Sequence, residues 1–425
     1  MEVCIVMYTS LMLERPTTIV LFGITGDLAQ KKLLPAIYDL YRTGRLTKTR
    51  IVGFSRREFS SDEIRDFVKA TLPQENFDSS FLDLITYVQG QFDDPVSYKN
   101  LSEHLSNFCD KELGDCSNKL FYLSVPPTLY EMISKNISAS GLSIPCGGDD
   151  GFARILIEKP FGKDLKTAKE LDLLLGELFA EEQIYRIDHY VAKESLFNII
   201  DVQRRDSEFM KKWNKENIER IEIDLFEKNI VGSRGASYDG VGAFRDVGQN
   251  HMLQMLALLA MDIPSSFEPT LIQKARADVL ESIIPATEED LNKMLRGQYD
   301  GYLSEPGVSQ NSKTETFFSI KVLLSRGVLT DTPFILTSGK ALSENKTQAI
   351  VCFKDGQKLV ITVSPQDSLS AYQKIFLDCI SGDQTVFIST PEIVAEWKYV
   401  SDVVEKTENL TPFTYKIGSK PEDVL

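Results

Sequence analysis

Histidine is scarce in this 425-residue chain, with only His104, His189 and His251. The six cysteines (Cys4, Cys109, Cys116, Cys146, Cys352, Cys379) are scattered, form no Cys-x-x-Cys, and none stands at metal-ligand spacing from a histidine. No metal site is therefore expected, and the cysteines read as reduced cytosolic thiols. No apolar run reaches the roughly 18 residues needed to cross a bilayer. The first 13 residues lack a basic leader and a clear cleavage pattern, so no signal peptide is expected and the location expected is the cytoplasm. Positive charge is also short: 47 Lys and Arg face 62 Asp and Glu, a net −15. Such a surface repels nucleic acid and anionic membranes, which excludes both as partners. It also means that any phosphate site must be locally basic. Internal repeats and low-complexity tracts are absent, and the length suits about two domains.

What is present is concentrated. His189 lies in Arg186-Ile187-Asp188-His189-Tyr190-Val191-Ala192-Lys193-Glu194, and His251 in Arg245-Asp246-Val247-Gly248-Gln249-Asn250-His251. Histidine is the side chain best matched to moving a proton near neutral pH. Histidines set among Asp, Lys, Arg and Tyr point to proton chemistry on a polar, charged substrate. A lone helix histidine is more often satisfied by local hydrogen bonds, so the surrounding composition carries the reading.

The N-terminal half alternates strands and helices, the signature of a parallel sheet. Thr17–Phe22 is β-branched and apolar, as expected of a strand buried on both faces. It runs into Gly23-Ile24-Thr25-Gly26-Asp27-Leu28-Ala29 and a helix through Tyr41. Strand, glycine turn and helix N-terminus form the phosphate cradle of a dinucleotide fold. The full three-glycine fingerprint is missing, and alone this spacing also fits a plain turn. The second strand, Arg50–Phe54, ends not in the acid expected for NAD but in Ser55-Arg56-Arg57. A basic residue there suits the 2′-phosphate of NADP, although by itself the arginine pair is also compatible with a solvated turn. Further strands are expected at Thr86–Gln89, Lys119–Val125 and Ala153–Ile157, the last ending in Glu158-Lys159-Pro160-Phe161-Gly162.

From about Ile218 the pattern becomes a half-exposed alternation read as antiparallel. A helix is predicted over Ala243–Met261, with strands at 314–324, 333–336, 349–353 and 358–363 and two late helices at 369–379 and 391–404. On an α-helix Asp246 and His251 would be separated by about 7.5 Å of rise and about 140° of rotation. They could then border one cleft without touching. Gly248, in mid-helix, has no explanation in the sequence beyond close packing. The expected fold is a Rossmann-like α/β dinucleotide-binding domain over 16–190. An α+β domain with a mostly antiparallel sheet follows over 191–425.

Five segments together resemble the glucose-6-phosphate dehydrogenase family. They are Gly23–Ala29, Glu158–Gly162, Arg186–Glu194, Tyr238–His251 and Leu377–Thr385. The resemblance implies NADP-dependent oxidation of glucose 6-phosphate at C1, and a homodimer or homotetramer. It implies His251 as general base and Asp188 as its carboxylate partner. His189, Tyr190 and Lys193 match the grip on the sugar phosphate, Lys340 matches another substrate lysine, and Glu227 and Asp246 match the acids that hold sugar hydroxyls. Lys159 matches a lysine between cofactor and sugar, followed by a cis Lys159–Pro160 bond. Gly23, Thr25, Gly26, Asp27, Leu28 and Arg56 match the cofactor contacts, with Lys32 nearby.

The chain departs from the family pattern at Thr337, Asn345 and Ser364. It also runs from Pro365-Gln366-Asp367 almost directly into Ser370-Ala371-Tyr372, where relatives carry more residues. This shortening puts the usual dimer surface in doubt. Two alternatives follow: a dehydrogenase of another sugar phosphate, and a sugar-phosphate or NADP-binding homologue without turnover.

Overall fold

The computed structural model describes residues 15–111, 116–146, 151–196, 207–363 and 368–425. The chain divides into two compact units that interleave in sequence. The first comprises Met1–Phe161, Glu170–Ile187 and Leu369–Val386; the second comprises Gly162–Lys169, Asp188–Ser368 and Phe387–Leu425.

The first unit is built on a six-stranded, wholly parallel sheet. Its strands are β1 (Thr17–Phe22), β2 (Thr49–Ser55), β3 (Ile85–Gln89), β4 (Asn118–Leu123), β5 (Ala153–Glu158) and β6 (Ile184–Ile187), in the order β3-β2-β1-β4-β5-β6. This is the doubly wound dinucleotide-binding order, with its switch point between β1 and β4. All of β1 and β4 is buried, as expected when helices cover both faces. Gly23, directly after β1, has φ +77°, and a Cβ there would fall 2.6 Å from the Ser124 carbonyl oxygen just past β4. No other residue fits that turn without displacing the β4 end. The Gly26 N–H closes the turn on the Gly23 carbonyl at 2.8 Å. The following helix starts as a π turn over Ala29–Leu33 before becoming α over Leu34–Arg42.

One expectation fails in this unit. Cys116 and Cys146, 30 residues apart, are joined as a disulfide with Cα atoms 5.8 Å apart. Cys116 and Cys146 precede the paired strands β4 and β5, and proximity of that kind leaves no trace in cysteine spacing. Cys352 and Cys379 are free and buried, whereas Cys4 and the Cys109 side chain lie outside the described residues.

The second unit carries a seven-stranded mixed sheet in the order β12-β11-β7-β10-β9-β8-β13. Its strands are β7 (Ile218–Phe226), β8 (Leu295–Tyr299), β9 (Phe317–Val322), β10 (Phe334–Gly339), β11 (Lys346–Phe353), β12 (Lys358–Thr362) and β13 (Phe413–Tyr415). Most pairs are antiparallel. The pairing of β7 with β10 is parallel, against the reading of β7 as purely antiparallel. Alternation reports which face is buried and says nothing about the direction of a neighbour.

The helix expected over Ala243–Met261 has two characters. Phe244–Met252 is π-helical, and Leu253–Ala260 is α-helical and entirely buried. A π-helix bonds residue i to i+5 and has more residues per turn, so Asp246 and His251 come closer to one face than the 140° apart an α-helix would set. Gly248 now has its reason: a Cβ there would meet Phe244 Cδ2 at 2.7 Å and Phe318 Cζ at 3.0 Å. Among the described residues no helix is long and apolar enough to cross a membrane.

Candidate active site

The sugar-side residues named from the sequence, apart from Lys159, all belong to the second unit. At its centre His251 Nδ1 lies 2.6 Å from Asp188 Oδ1, with both side chains almost fully enclosed. A carboxylate only accepts, so Nδ1 carries the hydrogen and Nε2 presents its lone pair. Burial acts to raise the Asp188 carboxyl. The charge and hydrogen bond of His251, then His189 and the Tyr190 N–H, outweigh it and hold the group at about 2. Asp188 Oδ1 also accepts the Tyr190 backbone N–H at 2.9 Å, which ties the Asp188-His189-Tyr190 turn to the dyad.

Aromatic contacts complete the arrangement. The Tyr190 ring stacks on His251 with centroids 4.1 Å apart, and His189 meets His251 edge-on at 4.8 Å. Lys193 Nζ sits 4.9 Å from the Tyr190 ring centroid, a cation held against a π face. Burial raises the Tyr190 phenol to about 12, with a Thr347 hydrogen bond acting the other way, so the hydroxyl stays a neutral donor.

A second cluster follows from strand pairing. In the parallel β7–β10 register Phe226 stands opposite Gly339, so the next residues, Glu227 and Lys340, emerge side by side. Lys340 Nζ is 2.5 Å from Glu227 and 3.1 Å from Asp246, and lies 5.3 Å from the Tyr238 ring centroid. Two carboxylates and one ammonium leave this cluster net negative, as suits hydrogen bonding to hydroxyl groups. The chain leaves Lys340 through Ala341, a non-glycine residue at φ +57°. A left-handed alanine costs about 1 kcal/mol or more. The turn is held by Ala341 N–H to Asn229 O at 3.1 Å and Leu342 N–H to Glu227 O at 3.0 Å.

The departures from the family pattern have local partners. The Thr337 hydroxyl is buried and pairs with Ser319 at 3.0 Å. Asn345 Oδ1 accepts the Lys228 N–H at 2.7 Å, which steadies the backbone beside Glu227. Ser364 lies outside the described residues. Tyr238 was missed as a contributor, although it opens one of the motifs quoted from the sequence.

The candidate cofactor residues lie in the first unit. Gly23, Thr25, Gly26, Asp27 and Leu28 form the turn after β1. Asp27 is exposed and pairs with Lys31 at 2.7 Å, and Lys32 is exposed. Arg56 is exposed just past β2, its guanidinium 5.9 Å from the Phe92 ring centroid. Lys159 is half-buried after β5, before a cis Lys159–Pro160 bond.

Known proteins match this chain along nearly its whole length. The glucose-6-phosphate dehydrogenase NAD-binding domain profile matches residues 20–198. The C-terminal domain profile matches in two stretches, 203–369 and 361–424. The cytoplasmic isoform of glucose-6-phosphate 1-dehydrogenase from Solanum tuberosum is 32% identical over 95% of this chain and 89% of its own length. A glucose-6-phosphate dehydrogenase solved in complex with glucose 6-phosphate superposes with a TM-score of 0.89 at 28% identity, covering 96% of this chain and 95% of its own. The Mycobacterium avium glucose-6-phosphate 1-dehydrogenase superposes at 0.82 and 28% identity, covering 96% of each chain. With both domain profiles matched and the fold shared throughout, this chain belongs to the glucose-6-phosphate dehydrogenase family.

Proposed function

We propose that this protein oxidises D-glucose 6-phosphate at C1 to 6-phospho-D-glucono-1,5-lactone with NADP, His251 acting as the base. The observation that carries this reading is the buried 2.6 Å contact between His251 and Asp188, in a turn shared with His189 and Tyr190. His251 Nε2 takes the C1 hydroxyl proton as the C1–H bond breaks and the C1–O bond becomes a carbonyl. Asp188 balances the imidazolium that forms, and with Nδ1 committed to it the ring keeps one orientation. His189, Tyr190 and Lys193 supply donors and positive charge for the phosphate. Glu227 and Asp246, with Lys340 between them, accept from sugar hydroxyls.

The first unit fits a dinucleotide. Gly23 and Gly26 leave the backbone of the turn after β1 without a side chain at those two positions, and a basic residue, Arg56, stands past β2 to meet a 2′-phosphate. Thr25, Asp27 and Leu28 line the same turn, and Lys159 stands beyond β5. Bound NADP supplies the acceptor for the hydride leaving C1. In this reading 16–190 serves the cofactor and 191–425 the sugar, with Asp188, His189 and Tyr190 counted on the sugar side. A cytoplasmic homodimer or homotetramer completes the proposal, in keeping with the potato relative's description as a cytoplasmic isoform.

The test is the appearance of NADPH absorbance with purified protein, glucose 6-phosphate and NADP, alongside His251→Ala. Turnover should fall about 10²–10⁴-fold in the variant. A variant as active as the wild type would remove His251 from the chemistry, and an inactive wild type that still binds both ligands would leave a binding protein.

A further inference from the structure

A carboxyl group outside the sugar site holds the helix that carries His251. Glu396 is buried in the helix Thr390–Thr407. Its Oε2 accepts from Gln249 Nε2 at 3.0 Å and its Oε1 from Gln254 Nε2 at 2.7 Å. Gln249 precedes His251 by two residues within the π turn, and Gln254 follows it by three in the α-helical continuation. One side chain therefore bridges the junction between the two helix types, with His251 between its anchors. A π turn is uncommon and unstable without outside support, and its direction depends on what holds it. Here the support comes from the second carboxyl of an i, i+4 pair. Glu392, one turn earlier, is bonded to Arg276 of the helix Pro269–Glu281 at 2.7 Å, both groups having no exposed surface.

We propose that Glu396 is a positioning residue for the dehydrogenation: its buried carboxyl clamps Gln249 and Gln254 across the π-to-α junction and so fixes the direction in which His251 presents Nε2. This rests on His251 being the base. The clamp operates with Glu396 as a neutral acid. Burial pushes its carboxyl well above the usual range; the Gln254 hydrogen bond acts the other way, Glu392 and Asp188 push it further up, and Arg276 pulls it down. The charged and titratable groups around it are thus Glu392, Arg276 and the Asp188–His251 dyad. Gln249 Oε1 already accepts from Asn250, whereas Gln254 Oε1 has no hydrogen-bond partner among the described residues, so a protonated Glu396 donates through Oε1 to a turned-over Gln254 amide while its Oε2 still accepts from Gln249. A glutamine at position 396 can do the same. A neutral Glu396 also leaves Asp188 to balance the imidazolium without a second buried negative charge.

The experiment compares Glu396→Gln and Glu396→Ala in the full-length protein, with kcat and KM measured separately and kcat/KM followed against pH. E396A should lose kcat about 10–100-fold, because the base is misaimed, while KM for either substrate stays within about twofold. E396Q should keep kcat within about twofold and leave the acid limb of the profile in place, because it changes no charge. The clamp is overturned by an E396A whose kcat is unchanged, even if its melting temperature falls. It is also overturned by an E396Q whose acid limb moves down by more than about half a pH unit, the sign of a lost negative charge. If E396A does not fold, E396Q decides alone. His251→Ala run in parallel separates the two readings: surviving activity there sinks the base and the clamp together. An inactive H251A beside a fully active E396A sinks only the clamp.

Discussion

Replacing Asp188 by Asn removes a charge while leaving the hydrogen bonds of the site nearly intact. One oxygen, Oδ1, accepts both from His251 Nδ1 at 2.6 Å and from the Tyr190 N–H at 2.9 Å. Oδ2 is buried and has no hydrogen-bond partner among the described residues. An asparagine that keeps its oxygen at the Oδ1 position preserves both bonds and the tautomer, and its amide N–H₂ takes the place of Oδ2. What disappears is the attraction between carboxylate and imidazolium. At a charge separation of about 4 Å and an effective dielectric of about 20 this is worth about 4 kcal/mol. That energy is gained only once His251 has taken the proton, so D188N should lower kcat about 10³-fold with little change in KM. The pH dependence has a defined sign. Without the carboxylate the imidazolium is less stable, so the acid limb of kcat/KM moves to lower pH. Folding stability changes as well. The Asp188 carboxyl is held at about 2, below its ordinary 3.8. Its contribution, about 2 kcal/mol, is present above pH 4 and is lost as the pH falls toward about 2. The gap in stability between wild type and D188N should close over that window. Steady-state kinetics against pH with denaturant melts would check all three effects. A D188N enzyme retaining more than a tenth of wild-type kcat, or an acid limb moving upward, would refute the electrostatic account.

Two further predictions concern the cofactor turn and the catalytic helix. Arg56→Ala removes an exposed guanidinium past β2 and should raise KM for NADP about tenfold or more while changing KM for NAD little; equal effects on both cofactors would remove Arg56 from the 2′-phosphate. Gly248→Ala places a methyl 2.7 Å from Phe244 and 3.0 Å from Phe318, and should destabilise the fold by about 1–3 kcal/mol in a chemical melt. An unchanged midpoint would mean that the two rings give way freely.

Much of this fold is legible in the sequence. β1 came through because a β-branched run ending in a glycine turn is a local signal. Gly23 stands out as the first glycine of the strand, Gly-x-x-Gly, helix pattern, and its φ of +77° beside the Ser124 carbonyl accounts for the residue. The parallel sheet follows from the alternation of strands and helices; the motifs of His189 and His251 stand out by their density of polar residues, while the roles proposed for Asp188, His189, Tyr190, Lys193 and His251 rest on the family resemblance. Signals of this kind depend on neighbours in the chain, and the chain is what a sequence records. β8, interrupted by Gly297, and β13, three residues long, went unread because they are too short and irregular for a period to emerge. Only the tertiary structure set Lys340 between Glu227 and Asp246, because that contact depends on the parallel register of strands more than a hundred residues apart. Tertiary structure also joined Cys116 to Cys146, which are brought together by the pairing of β4 with β5 and not by spacing. It turned the His251 helix from α to π, a conformation held by Glu396 from a helix that follows about 140 residues later. Residue types and local periodicity determine which groups are available for chemistry. The directions in which those groups point are decided by long-range packing and hydrogen bonding, whose partners no local pattern names.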